Sequence, residues 1–156
     1  MLDQENQWNI NPVLQYIKDL SVEHPNPSDI LGAQEEELTT HLNLDVQPSP
    51  LGNDLFEVIL FVKAEINKEG TKGFVLDLQY AGIFTIKDAP EDILPLLLFI
   101  KCPEILFPGA RHIARTMAQE SGLPGFTLPS ADFVDLFRKK IENQTDSSQS
   151  MSDILV

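Results

Sequence analysis

Basic residues are scarce in this chain: 11 Lys and Arg stand against 24 Asp and Glu in 156 residues, a formal net charge of −13. Such a field repels phosphate groups and argues against nucleic acid or anionic lipid as a partner, and no membrane insertion is expected. Cysteine is scarcer still, with Cys102 alone. One thiol excludes an internal disulfide framework and suits a reducing compartment, where it reads as a small buried apolar residue. Long apolar runs are missing too. The longest, Ile93 to Ile100, is broken by Pro95 and stopped by Lys101, far short of the roughly 20 residues of a membrane-spanning helix. The opening MLDQENQWNINP has neither the basic nor the apolar region of a secretory leader, so the expected location is cytoplasmic.

The patterns that carry chemistry are also absent. His24, His41 and His112 fall in a proline-rich loop, on a strand and in a helix, without HxxxH, CxxC or CxxH spacing; no metal site is expected. The run Glu35, Glu36, Glu37 lacks the glycine and alternating ligands of a calcium loop and reads as a solvated acidic surface. There is no GxGxxG, no phosphate-binding glycine loop and no GxSxG, hence no visible site for nucleotide or acyl-transfer chemistry. Asp45 and Glu57 lie on strand faces that read as open surface, where burial would not tune their acidity. The expectation is a protein that is not an enzyme and uses no cofactor.

What is present is alternation, followed by helical spacing. Val13 to Glu23 places Leu20 and Val22 on one side and Asp19, Ser21 and Glu23 on the other, the pattern of a strand with one wet, acidic face. HPNPSDILGAQEEEL is then too rich in proline and acid for a regular element and reads as a long crossing loop anchored by Ile30 and Leu31. Thr39 to Gln47 alternates with Leu42, Leu44 and Val46 inward, and PSPLGND turns the chain. Leu55 to Ile66 is apolar at every even position, and Phe74 to Ile86 shares that parity apart from Gly82, which marks a bulge or a close backbone approach. Short turns between these strands favour antiparallel pairing, giving a four-stranded antiparallel sheet.

Helices follow. Asp88 and Glu91 have the spacing of a capping box before Ile93 to Ile100, a segment apolar nearly all round that needs more burial than one sheet face supplies. Pro103 is expected to end it, Pro108 to bend or break a longer helix that stops at Gly122, and Ser130 to cap a last helix with Arg138, Lys139 and Lys140 at its C-terminal end. Strands first and helices afterwards give the fold class α+β. Residues 1–12 and 144–156 read as mobile polar ends around one domain over 13–143.

CPEILFPGARHIARTM followed by LPGFTLPSADFVDLF resembles the SecB protein-export chaperone family, as do YIKDLSVEHPN, LNLDV, LFEVILFV and LDLQYAGIFTI in order and spacing. The resemblance implies helices packed on one face of the four-stranded sheet and a homotetramer built as a dimer of dimers, which holds unfolded preproteins without ATP and delivers them to the translocation ATPase SecA. It implies a SecA-facing surface at Asp19, Glu23, Val75 and Asp77; the family more often has glutamate in place of Asp77, and an aromatic residue in the crossing loop where EEEL stands. A holdase needs exposed apolar surface. Candidates for client binding are Ile30, Leu31, Leu42, Leu44, Leu123, Phe126 and Leu128, although any one of them taken alone reads more readily as ordinary core packing. The acidic balance is compatible with docking and with solubility alone. Alternatives are a SecB-like chaperone dedicated to one client such as an antitoxin, and a structural interaction module or small-ligand binder.

Overall fold

Residues 8–154 are described by a computed structural model; residues 1–7, 155 and 156 lie outside the described part. Strands β1 (Asn9–Glu23), β2 (Leu38–Gly52), β3 (Leu55–Lys68) and β4 (Thr71–Lys87) form one antiparallel sheet. Its order is β1-β4-β3-β2. Two hairpins have two-residue turns in which both residues take positive φ, Asn53 with Asp54 and Glu69 with Gly70, the handedness that matches strand twist. The PSPLG segment therefore belongs to β2, and the turn falls one step later. From β1 the chain crosses to the far edge through a short helix α1 (Pro27–Ile30) and a 3-10 turn at Glu35–Glu37. The crossing segment is thus more regular than its composition suggests.

Parity decides burial. Val58, Leu60, Val62, Ala64 and Ile66 of β3 and Phe74, Leu76, Leu78, Phe84 and Ile86 of β4 are buried on the inner face. One long helical segment lies across them: α2 (Leu94–Leu96), a π-helical turn at Leu97–Lys101, and α3 (Cys102–Glu120). Pro103 does not end the helix. Its ring crowds the carbonyl four residues earlier, and the preceding turn widens so that Cys102 N–H bonds to Leu97 C=O, five residues back. Pro108 sits inside α3 without breaking it. Nor does Asp88 cap the segment, since it takes positive φ and the helix starts at Leu94.

Every fourth residue of α3 from Cys102 to Ala118 is fully buried, namely Cys102, Leu106, Ala110, Ala114 and Ala118. This ridge of mostly small side chains lets the helix settle closely onto the sheet. Gly82 and Gly109 make the approach closer. A Cβ on Gly82 would lie 2.8 Å from Leu106 Cδ2, and one on Gly109 would lie 2.5 Å from Tyr80 Oη. Gly82 is therefore a close approach, and no register shift occurs there. The register shifts fall elsewhere: in β1, where Val13 and Lys18 are extra residues between Pro12 and Leu14 and between Ile17 and Asp19, at Leu51 of β2, and at Gly73 of β4.

Helix α4 (Phe133–Ile154) packs over the π turn. Its cap is Asp132, whose Oδ1 accepts Asp135 N–H at 3.0 Å, rather than Ser130. Phe137 stacks on Phe99 at 5.1 Å between ring centroids. Lys140 lies 5.3 Å over the Phe99 ring and donates to Asp45 Oδ1 at 3.0 Å and to the Val46 carbonyl at 2.8 Å. Because α4 runs on to Ile154, Arg138, Lys139 and Lys140 stand well before its end and pair with acids instead of the helix dipole. Two boundaries move accordingly: Asn9 to Pro12 are strand, and the helix backbone continues through the segment read as a polar tail.

Gly82→Ala should cost about 1–3 kcal/mol by overpacking, a loss of about 2–4 °C in Tm per kcal/mol for a domain of this size. Thermal denaturation checks this, and an unchanged Tm would mean that α3 can move off β4.

Candidate functional site

The helical segment covers the middle of the inner face and leaves one end open. Here the crossing segment, the start of β2 and the connection after α3 enclose an apolar groove of about 720 Å³. Ile30 and Leu31 line one wall, Leu123 and Phe126 the other, and Leu38, Thr40 and Ile66 the sheet side. Ile30 is buried where Gly73 leaves room for it, since a Cβ on Gly73 would lie 2.9 Å from Ile30 Cδ1. Leu31, next in sequence, is 84% exposed. Phe126 rests against Phe74 at 6.0 Å between centroids. His24 Nδ1 donates to the Ser121 carbonyl at 2.9 Å and Asn26 Nδ2 to the Lys72 carbonyl at 2.8 Å. A Lys68–Glu37 ion pair at 3.5 Å fixes the far end of the crossing segment.

Four of the seven candidate groove residues therefore come together: Ile30, Leu31, Leu123 and Phe126. Leu128 does not join them. It is fully buried in the core, the alternative to client binding that the sequence left open for it. Leu42 and Leu44 are half-buried against the core further along β2, where the π turn packs, so the sheet wall of the groove is Thr40 and Ile66 instead. His24, Leu38, Thr40 and Ile66 are groove residues that sequence reasoning passed over, as is Gly73, which lies behind Ile30 without lining the groove itself.

Among the described residues, the opposite face of the sheet carries no helix. Cross-strand pairing arranges its side chains in rows: Glu23, Val75, Glu65 and His41; then Ser21, Asp77, Lys63 and Asn43; then Asp19, Gln79, Phe61 and Asp45. Asp19, Glu23, Val75 and Asp77 share this outer face on adjacent strands. A shallow hollow of about 300 Å³ lies among Asp19, Asp77, Asp45, Lys63 and Phe61. Asp45, Phe61, Lys63 and Glu65 extend the surface onto β3 and β2, and the odd parity of β3 was the signal that could have found them.

Further along the same face, Glu57 of β3 reaches over β4 to two residues of β1. Tyr16 Oη donates to Glu57 Oε2, and Lys18 Nζ donates to Glu57 Oε1 at 2.8 Å. Hydrogen bonds from Lys18 and then Tyr16 hold the Glu57 carboxyl below its ordinary range, while burial and the carboxylate push the Tyr16 phenol up to about 12. Burial likewise pushes the Cys102 thiol up to about 12, which leaves almost no thiolate at neutral pH. Among the described residues no group of three or more His, Cys, Asp or Glu could hold a metal ion, and no helix is long and apolar enough to cross a membrane.

A carboxyl whose folded pKa is depressed stabilises the fold above its unfolded pKa, about 4.3 for glutamate, and loses that contribution as the pH falls through the lower folded value. Glu57→Gln should therefore be less stable than the parent at pH 7, with the gap closing as the pH drops below about 4. Urea titrations at several pH values measure this. A gap independent of pH would show that the carboxylate charge contributes nothing.

With this geometry established, known proteins can be set beside it. The sequence model of the family described as preprotein translocase subunit SecB matches residues 3–144. The protein-export protein SecB of Nitrobacter hamburgensis is 36% identical over 143 residues, covering 92% of this chain and 90% of that one. That of Paramagnetospirillum magneticum is 41% identical over 128 residues, covering 81% and 82%. Among solved structures, a SecB-like chaperone of Mycobacterium tuberculosis in complex with a ChAD peptide from the HigA1 antitoxin matches with a TM-score of 0.63 at 16% identity, covering 79% of this chain and 91% of that one. The last similarity is one of fold, while the match over residues 3–144 and the curated relatives decide kinship: the chain belongs to the SecB family.

Proposed function

We propose that this chain is an ATP-independent chaperone that holds unfolded precursor proteins in an export-competent state in the cytoplasm and delivers them to SecA. The observation that carries the reading is the open apolar groove, in a chain of this family, with Leu31 and Phe126 on facing walls. An unfolded chain offers extended backbone and scattered apolar side chains, which a shallow apolar channel binds without selecting one sequence. Holding of this kind needs no chemistry and no cofactor. Asp19, Glu23 and Asp77 around Val75 form the SecA side, on the face opposite the groove. Complementary charge there acts mainly on association rate and specificity.

The working assembly in this reading is a homotetramer, a dimer of dimers. Support for contact with a second copy comes from the edge strand β1, where Val13, Leu14 and Ile17 are exposed. The helix at Ile93 to Ile100 supplies less of the argument than its composition suggests, because Leu97 and Leu98 are buried within the chain and α4 stacks on Phe99. A SecB-like chaperone dedicated to one client, such as an antitoxin, is the alternative, and breadth of clients separates the two.

Leu31→Ser, at a side chain that is 84% exposed, should weaken the delay that this protein imposes on refolding of several unrelated precursors with little change in Tm. Leu128→Ala should do the reverse, costing about 2–5 kcal/mol of stability as a core truncation. Refolding assays with and without nucleotide, paired with thermal melts, read both. Delay of one client alone would favour the dedicated chaperone, and none at all would remove the reading.

Reversing Glu23 and Asp77 to Lys should weaken SecA binding, more at low ionic strength than at high, because exposed pairs are weak singly, about 0.2–1 kcal/mol, and screened by salt. Light scattering should report a tetramer for parent and variant alike. Unchanged calorimetric affinity would reduce the acidic face to a solubility device.

A further inference from the structure

The outer face sets a cation directly beside a docking acid. Regular alternation would send Lys18 and Asp19 to opposite sides of the sheet. The extra residue between the pairs Ile17–Tyr80 and Asp19–Gln79 brings both to the outer face instead: Asp19 lines the hollow there, and Lys18 Nζ reaches the outer-face carboxylate of Glu57. A lysine free to swing at that position would offset the charge of Asp19 and repel a basic partner.

Glu57 prevents this by holding Lys18 at 2.8 Å, and its other carboxylate oxygen accepts the Tyr16 hydroxyl. Tyr16 stands opposite Ala81, whose methyl group leaves room for the ring to pass over β4 toward β3. With both oxygens engaged, the carboxylate has a fixed position, and its side chain is only 15% exposed against 42% for Lys18. A cation paired with a shielded carboxylate is neutralised locally, whereas Asp19 has no cation within ion-pair reach among the described residues.

We infer that Glu57, oriented by Tyr16, is a positioning residue for the docking face: it sequesters Lys18 toward β3 so that the charge of Asp19 stays available to a basic partner. The inference rests on the proposed SecA docking and assigns that face a residue outside the acidic rows.

The test compares calorimetric affinities for purified SecA at low ionic strength. Asp19→Asn and Glu57→Gln should each weaken binding about threefold, the effect expected of one unit charge at about 7 Å in water, and the loss should fade as salt is raised. Adding Lys18→Gln to Glu57→Gln should restore parental affinity, a rescue that loss of a purely structural contact would not give. Lys18→Gln alone keeps both acids and should bind at least as tightly as the parent, which tests the inference even if Glu57→Gln does not fold. Weaker binding by Lys18→Gln, or no rescue in the double variant, overturns the inference. So does unchanged affinity in Glu57→Gln where Asp19→Asn binds less well. If Asp19→Asn itself binds as well as the parent, the docking reading fails first and takes this inference with it.

Discussion

The contact on which the rest of the structure depends is the close crossing of α3 over β4. Gly82 lacks the side chain that would strike Leu106, and Gly109 lacks the one that would strike Tyr80. Two missing Cβ atoms, one on each partner, bring helix and sheet within reach of a ridge built mostly of alanine. The inner face is thereby filled by a single helix, with Phe74, Phe84, Leu76 and Leu78 fully buried beneath the helical layer. Where α3 stops at Glu120 and Gly122 turns the chain with φ +85°, only the four-residue α1 borders the end of the sheet among the described residues, and no long helix covers it. That uncovered end is the groove.

Placing every helix on one side has a second consequence, the bare outer face. The groove is apolar and offers shape without direction, while the outer face offers charge in ordered rows, Glu23 with Glu65 and Asp77 beside Lys63. Under the proposed function, a client and a motor occupy opposite sides of one sheet and do not compete for surface. The two tasks also differ in salt response, since apolar burial persists at ionic strengths that screen exposed charges.

The sheet was legible because its signal has period two and each hairpin turn is short. The parity of Asp19, Glu23 and Asp77 followed from Leu20, Val22 and the even positions of β4, and the sheet places those acids together. The bulges at Val13 and Lys18 were not legible, since an extra residue leaves no mark on composition. For the same reason the Lys18–Glu57 pair, 39 residues apart in sequence, could not be read. Leu128 was a groove candidate because it shares the connection after α3 with Leu123 and Phe126, yet tertiary packing buries it completely. Pro103 looked like a terminator; the π turn before it absorbs the clash and lets the helix continue.

Strand β2 runs along an open edge of the sheet and carries Pro48 and Pro50 at positions paired with Val58 and Phe56. Both prolines share the parity of Val46, whose carbonyl faces out to Lys140, so the missing N–H groups belong to the open side, where an added strand would need them. Lys140 occupies the Val46 carbonyl just before them. This half of the edge cannot template another chain. A protein that spends its working life beside unfolded polypeptide has particular need of such a guard: the chains it carries could otherwise extend its own sheet and seed the aggregation that it delays.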